Sequence, residues 1–250
     1  SWTEPNLQDW SRADQLQFSR DNVYWNKLVE LTDTFIEHGR GIYYTGITDL
    51  HPGGDAIAAF RDPAQLAIDM IEHPDEVKRM VERVTAVFDE VYHFFADRLL
   101  AAGQAITCWA GIVSSVKWYV PSNDFSIMIS KDMFDDVFLP GIVQECKLLE
   151  ASIYHLDGPG AIRHLDSLLS IPELNAIQWV YGAGNGRATD WLHVHKKCQA
   201  AGKGVQLYIE PDELETVVTE LNPEGVWMRV VGVQTVEQAE SILERVSTWT

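Results

Sequence analysis

The second half of the chain alternates short apolar runs with amphipathic segments. The apolar runs predict strands, and the segments with a period near 3.6 residues predict helices. Alternation of this kind is typical of parallel strands joined by right-handed helical crossovers. The predicted strands are Ala151–Leu156, Ala176–Val180, Val205–Ile209 and Val226–Val231, and the predicted helices are Ala161–Leu169, Thr189–Ala201, Asp212–Leu221 and Thr235–Val246.

The first half of the chain is predicted to be richer in helix. Asn22 is a good N-cap for an amphipathic segment that Gly39 and Gly41 end. β-branched and aromatic residues predict a strand over Ile42–Ile47, and Pro52, Gly53 and Gly54 predict a loop after it. The remaining predicted elements are helices over Pro63–Ile71, Pro74–Leu100 and Asp132–Leu149 and a strand over Ala105–Ile112.

These elements predict an α/β fold, and we favour a (β/α)8 TIM barrel over an open doubly wound sheet. The predicted strands are apolar nearly throughout, as expected for strands covered on both faces. The pattern supplies about six βα units, whereas a closed barrel of this type needs eight strands. We therefore expect residues 1–250 to form a single domain that lacks its first two strands, which an N-terminal segment of a longer protein would supply.

The net charge of the chain disfavours two classes of binding partner. The 37 acidic and 19 basic residues give a formal net charge of −18, which disfavours phosphate backbones and anionic membranes. No apolar run approaches the roughly 18 residues of a membrane-spanning helix, and no signal peptide is visible at the start. The three cysteines are scattered, which fits a reducing compartment. We expect a cytoplasmic protein without a nucleic-acid or membrane partner.

The sharpest candidate site follows the strand at Ala151–Leu156. His155 and Asp157 are two residues apart at the C-terminal end of this strand, where active sites of parallel α/β proteins lie. A histidine there can act as a general acid or base or bind a metal, and a carboxylate beside it can orient it. The structural alternative is a histidine bonded to the backbone and an aspartate that caps the next helix.

Other polar and aromatic residues fall at the same predicted rim. Asp49 follows a strand directly, whereas His51 beside Pro52 could equally be plain loop, and Asp124 could equally be a turn former. Arg229 lies within an apolar strand and needs a carboxylate, either from the protein or from an acidic substrate. The remaining candidates are Glu210, which could equally begin a helix, and Trp118, Trp179 and Tyr181, which would form a pocket wall.

Several motifs occur along the chain in a characteristic order. They are Thr48–Asp55, Phe60-Arg61, His73–Val77, Asn123–Phe134, Leu139-Pro140 and His155–Gly158. With these motifs the chain resembles the uroporphyrinogen decarboxylase superfamily, which includes the corrinoid-dependent methyltransferases and is related to cobalamin-independent methionine synthase. The resemblance covers nearly the whole chain and implies a (β/α)8 barrel in which these strands are the third to the eighth.

The resemblance also bears on metal binding. The methyltransferases of this superfamily bind zinc through a His-x-Cys motif after the fifth strand and a further cysteine. His155 matches the histidine, but Asp157 replaces the cysteine, and Gly232-Val233 follow the last strand without one. A cysteine-rich zinc site is therefore not implied, and His155 and Asp157 with a third oxygen ligand remain candidates for a harder metal.

The function that the resemblance implies is methyl (one-carbon) transfer involving a corrinoid, carried by a partner protein, and a small-molecule substrate. His155, Asp157 and Asp124 would be catalytic. Substrate contacts would come from Asp49, Trp118, Trp179, Tyr181, Glu210 and Arg229. Two alternatives stay open: decarboxylation of uroporphyrinogen or a related acidic tetrapyrrole, for which Arg229 would replace an absent arginine-rich motif, and a non-catalytic small-molecule-binding barrel. A homodimer is a further expectation.

Overall fold

A computed structural model describes residues 4–250 and divides the chain into two compact units. The first unit extends through Ser152, and the second is Ile153–Thr250. The boundary falls inside a strand, Ala151–Asp157, so no linker separates the units. The expectation of a single domain over residues 1–250 remains a prediction.

Helices dominate the first unit. The first of them begins directly after Asn22, whose side chain accepts a hydrogen bond from the backbone N–H of Tyr24, as the capping signal predicted. The helices are α1 (Val23–Gly39), α2 (Gly53–Arg61), α3 (Pro63–Glu72), α4 (Pro74–Ala101), α5 (Lys131–Met133) and α6 (Leu139–Leu148), with 3-10 helices at Trp10–Gln15 and Asp124–Met128.

Three predictions for this unit are wrong. Ile42–Ile47 is not a strand, because its contacts with the rest of the unit are single hydrogen bonds, such as Ile47 N–H to the Thr107 carbonyl. Ala105–Ile112 is not a strand either, because the chain turns back through Gly111 (φ 75°) and leaves one antiparallel bridge between Ile106 and Ser114. The predicted loop at Gly53 and Gly54 is instead the first turn of helix α2.

The segment predicted as one helix over Asp132–Leu149 is interrupted. Five residues, Phe134–Phe138, form a π-helical turn between α5 and α6. This turn buries Phe134, Val137 and Phe138 together, which a regular α-helix would distribute differently around its axis. Upstream of it lies a strand that the sequence did not predict, β1 (Trp118–Tyr119), paired in parallel with Ala151 and Ser152.

The second unit follows the predicted alternation closely. Its strands are β2 (Ala151–Asp157, of which the first two residues belong to the first unit), β3 (Ala176–Val180), β4 (Gly204–Ile209) and β5 (Val226–Val230). Each pairs in parallel with the next along the chain. The helices are α7 (Leu165–Leu169), α8 (Leu192–Ala200), α9 (Leu214–Glu220) and α10 (Val236–Ser247), of which the first three are preceded by short 3-10 helices.

The described residues thus contain five parallel strands rather than the six predicted, in an α/β fold. The sequential parallel pairing is the pattern from which (β/α) barrels are built, while eight units remain a prediction. Among residues 4–250, none of the helices combines the length and the apolar character needed to cross a bilayer.

Candidate functional site

The strand register of the second unit lines up polar residues on one face of the sheet. His155 pairs with Gln178, and Gln178 pairs with Gln206. Two residues further toward the C-terminal ends, Asp157 pairs with Val180 and Tyr208 pairs with Arg229. Because side chains alternate along a strand, residues two apart share a face. The face that carries His155 therefore also carries the following residues: Asp157, Gln178, Gln206, Tyr208 and Arg229.

His155 is half-buried on this face, and its ring is oriented by a neighbour. Its Nδ1 atom is hydrogen-bonded to Oε1 of Gln178, a side chain that is only 1% exposed. A carbonyl oxygen only accepts, so Nδ1 of His155 is the donor in this bond, and in the neutral ring Nε2 is then the nitrogen that carries the lone pair. This tautomer suits a general base or a metal ligand.

Asp157 supplies a carboxylate beside this ring. One of its oxygens lies within 4.8 Å of a ring nitrogen of His155, and the residue is half-buried. A histidine nitrogen and a carboxylate oxygen are ligands for harder divalent metals. Thiolate ligation does not fit this unit, because its one cysteine, Cys198, lies buried on helix α8, and burial raises the pKa of its thiol to about 12.

The aromatic residues predicted as a pocket wall do not share this face. Trp179 pairs in register with Leu156, so it points to the opposite side from His155. Its indole is 3% exposed and packs edge-on against Trp191, with ring centroids 5.1 Å apart. Tyr181 follows strand β3 and is half-buried, and partial burial raises the pKa of its phenol.

Glu210 is engaged in local structure. Its side chain and that of Glu213 form a reciprocal capping box at the 3-10 helix Pro211–Glu213. Glu210 also pairs with Arg187 at 3.2 Å, and Asp212 pairs with the same guanidinium. The Arg187 guanidinium is therefore paired with acidic side chains at the start of this 3-10 helix.

Arg229 is exposed near the C-terminal end of strand β5. Its guanidinium lies over the ring of Tyr208, 5.8 Å from the centroid. Among residues 4–250, no carboxylate forms an ion pair with Arg229. The sequence analysis predicts two possible partners for this cation. The first, a carboxylate of the protein, is not observed among the described residues. The second, the carboxylate of an acidic substrate, stays a prediction.

In the first unit, Asp49 and His51 form a pair. Oδ2 of Asp49 lies 2.8 Å from Nε2 of His51, and Oγ of Ser122 lies 3.1 Å from the other ring nitrogen, Nδ1. The segment that carries them is fixed by the buried Tyr119, whose hydroxyl donates to the Thr48 carbonyl and accepts from the Leu50 N–H. His51 is therefore held in a defined orientation rather than in a plain loop.

Behind this pair lies a buried polar cluster. Asp55 accepts hydrogen bonds from the backbone N–H groups of Asp124 and Phe125. Glu145 is 1% exposed, and burial, with the nearby charge of Asp55, raises the pKa of its carboxyl to about 8. Asn123 is 3% exposed, and neither amide atom has a hydrogen-bond partner among the described residues. Burial therefore favours the protonated form of Glu145 over the charged form.

The other two predicted residues of the first unit differ in exposure. Asp124 is exposed and begins the short 3-10 helix Asp124–Met128, and its catalytic role stays a prediction. Trp118, which the sequence analysis assigns to a pocket wall, begins strand β1, where it is 3% exposed and its Nε1 donates to the Ile106 carbonyl. It is a packing residue of this unit.

Sequence reasoning missed Gln178, Asp55, Asn123 and Glu145. Gln178 carried a signal, because it is a lone polar residue in the apolar run Ile177-Gln178-Trp179-Val180, and a buried polar group needs a partner. No signal in the sequence indicates that Glu145 is buried, because an acidic residue within an amphipathic helix is usually exposed.

Comparison with solved structures finds a similar fold in a methyltransferase from Methanosarcina mazei. The similarity has a TM-score of 0.54 at 11% sequence identity and covers 94% of this chain. It covers 66% of that protein, so this chain spans less than two thirds of the methyltransferase's length. At this identity the likeness shows the fold alone. No protein-family model matches the chain, and no curated protein does so.

Proposed function

We propose that the chain belongs to an enzyme that transfers a methyl group between a corrinoid, carried by a partner protein, and a small molecule. The observation that carries the proposal is the strand-end pair His155 and Asp157, with Gln178 fixing the tautomer of the histidine. The fold shared with a methyltransferase supports it. The comparisons lend no support to decarboxylation.

The chemistry assigns a proton-transfer role to this pair. An acceptor of the type X–H must lose its proton when the new X–CH3 bond forms, and Nε2 of His155 is the lone pair that would take it. The carboxylate of Asp157 would stabilise the resulting imidazolium. When bound, the corrinoid supplies the methyl group, and we assign none of the described residues to it.

A metal is the second role open to the same pair. His155 and Asp157 would supply one nitrogen and one oxygen ligand, and a bound divalent cation would polarise the acceptor and lower its pKa. Metal analysis of the purified protein and of Asp157→Asn distinguishes this role, because a metal that depends on the pair is lost from the variant.

The test compares His155→Ala with His193→Ala, an exposed histidine on helix α8 of the same unit. Activity is followed as demethylation of methylcobalamin with a thiol acceptor, by visible absorption and by mass spectrometry of the thioether. We expect His155→Ala to lose at least about 100-fold in rate with an unchanged melting curve, and His193→Ala to retain full activity.

Three outcomes would contradict the proposal. Equal activity in His155→Ala would return the residue to a structural role. Carbon dioxide release from uroporphyrinogen, without any demethylation, would favour the decarboxylase alternative. Saturable corrinoid or thiol binding without turnover would favour a non-catalytic barrel.

A further inference from the structure

A row of four residues crosses the sheet of the second unit in continuous register. His155 pairs with Gln178, and Gln178 pairs with Gln206. Gln206 pairs in turn with Trp227. Residues paired across parallel strands point to the same face, so Trp227 lies on the face that carries His155. The two glutamines are at most 1% exposed, whereas the two end residues are half-buried. The accessible ends of the row are therefore a histidine and an indole.

A cluster of two aromatic rings and one cation lies at the Trp227 end of this row. The rings of Trp227 and Tyr208 meet edge-on, with centroids 6.4 Å apart. Arg229 lies two residues beyond Trp227 on strand β5 and therefore shares its face. Its guanidinium lies 5.8 Å from the centroid of the Tyr208 ring. We call Tyr208, Trp227 and Arg229 the aromatic cluster. Both rings are half-buried and Arg229 is exposed, so each can contact a ligand.

The opposite face of the sheet is covered by the helical layer of the unit. Trp179 points to that side and packs against Trp191, in the 3-10 helix that precedes α8. Leu156, Ile177 and Leu207, which alternate with the polar row, are each 1% exposed. The second unit thus presents its accessible polar and aromatic groups on the face of the aromatic cluster.

Arg229 differs from the other cations of the second unit in its partners. Among residues 153–250, the other lysines and arginines pair with carboxylates (Arg187, Lys196, Lys197 and Arg245) or donate to backbone carbonyls (Arg163 and Lys203). No described residue accepts a hydrogen bond from Arg229, although the chain has 37 acidic residues for 19 basic ones. A guanidinium that rests on an aromatic ring with its donors open suits a bidentate carboxylate.

We propose that this face binds an aromatic carboxylate whose reacting hydroxyl or thiol lies at the opposite end of the ring from its carboxylate. Arg229 binds the carboxylate, and the rings of Tyr208 and Trp227 contact the aromatic body. The far substituent then lies at His155. The inference rests on the proposed function, because it identifies the class of small molecule that exchanges the methyl group. Tyr208 and Trp227 become residues that determine specificity.

The spacing of the strands sets the length of this molecule. His155 and Trp227 lie on strands β2 and β5, three strand spacings of roughly 4.8 Å apart, or about 14 Å between backbones. The side chains at the two ends extend into this interval and shorten it. One ring with its two groups in para positions spans what is left, whereas a ring with the groups on adjacent carbons reaches one end alone.

Binding is tested by isothermal titration calorimetry with 4-hydroxybenzoate, in the absence of any corrinoid. The protein should bind it saturably, and at least about tenfold more tightly than 4-hydroxybenzamide, which lacks the charge. It should prefer 4-hydroxybenzoate to 2-hydroxybenzoate, whose two groups are adjacent, by a similar factor. The saturated analogue trans-4-hydroxycyclohexanecarboxylate should bind several-fold more weakly, because it lacks the ring that packs on the aromatic cluster.

The variants separate the charge from the rings. Arg229→Gln should lower the affinity for 4-hydroxybenzoate to that for the benzamide. Lys196→Gln removes one positive charge from an exposed position of helix α8 and is the matched control, so both affinities should stay unchanged. Trp227→Leu should remove the preference for the aromatic over the saturated ring, and Trp227→Phe should keep it. Melting curves identify any variant that fails to fold.

Several results would overturn the inference. They are the absence of saturable 4-hydroxybenzoate binding, equal losses in Arg229→Gln and Lys196→Gln, and equal affinities for the 2- and 4-hydroxy isomers. A ring preference that persists in a folded Trp227→Leu variant would overturn the role of the indole. The affinities are measured without methyl transfer, so the failure of the proposed function is distinct: the predicted affinities would then be observed in a protein that never demethylates methylcobalamin.

Discussion

Gln178 holds the ring of His155 by a hydrogen bond between neighbouring, directly paired strand positions. Gln178 is almost fully buried, so its amide has little freedom to turn away. The orientation of the histidine is therefore built into the sheet. This relationship makes Gln178 a positioning residue of the proposed function.

Replacing Gln178 with Leu should lower kcat for methyl transfer by about 10- to 100-fold, because the ring loses the partner that fixes its tautomer. KM should change little, since Gln178 is not expected to touch substrate. Gln178→Glu should restore much of the rate and move the pH profile toward higher pH, because a carboxylate favours the imidazolium. Unchanged rate and pH profile in Gln178→Leu would show that the hydrogen bond is merely structural.

Arg229 should discriminate anionic from neutral molecules. Because it is exposed and has no carboxylate partner among the described residues, Arg229→Gln should leave thermal stability unchanged. Inhibition of methyl transfer by benzoate should weaken several-fold in this variant, whereas inhibition by benzamide should not. Equal weakening of both inhibitors would mean that the residue acts by packing against Tyr208 and not through its charge.

Glu145 should make the folded protein less stable as the pH rises. The pKa of its carboxyl is raised from 4.5 to about 8 in the folded state, so between these values the folded chain binds the proton and the unfolded chain releases it. This contribution is fully present below about pH 4.5 and is lost by about pH 8, with a slope of up to about 1.4 kcal/mol per pH unit.

The variant Glu145→Gln should remove that slope. Urea unfolding at pH 5, 6, 7 and 8 should show the variant gaining free energy of unfolding relative to the wild type as the pH rises. Glu82→Gln, at an exposed position of helix α4, is the matched control and should follow the wild type. Parallel curves for Glu145→Gln and the wild type would mean that the carboxyl ionises freely.

Breaking the buried ion pair Arg61–Asp69 should cost about 3–5 kcal/mol of unfolding free energy. Both side chains are at most 5% exposed, and the Arg61 guanidinium also donates to the Leu7 carbonyl. Asp69→Asn would leave a buried cation underpaired. Asp33→Asn, which breaks the exposed pair with Arg98, should cost less than about 1 kcal/mol. Similar losses in the two variants would contradict this ranking.

The sequence predicted the second unit well because each strand there is a compact apolar run between turn residues. Ala176–Val180 has the same bounds in the structure as in the prediction. The first unit was harder, because strand propensity alone does not supply a pairing partner. Ile42–Ile47 has the composition of a strand but does not pair with a neighbouring strand. Strand β1, in contrast, has only two residues, which is too short to show an alternation of apolar and polar positions in the sequence.

The sequence predicted only the part of the candidate site that depends on spacing along a single strand. The two-residue spacing of His155 and Asp157 indicates a shared face without knowledge of the neighbouring strands. The position of Trp179 depends on the register between strands β2 and β3, and a shift of one residue there reverses the face. The cluster around Glu145 joins residues roughly 90 positions apart, and no local pattern encodes such contacts.

The π-helical turn at Phe134–Phe138 acts as a rotational spacer for everything that follows it in helix α6. Each residue advances an α-helix by about 100°, so deleting one residue from the turn would swing Ile142, Glu145 and Cys146 by that angle around the axis. The side chains that now face inward would be carried toward water. The one extra residue of the π-helical turn thus sets the direction in which the carboxyl of Glu145 points from the axis of helix α6 into the protein interior.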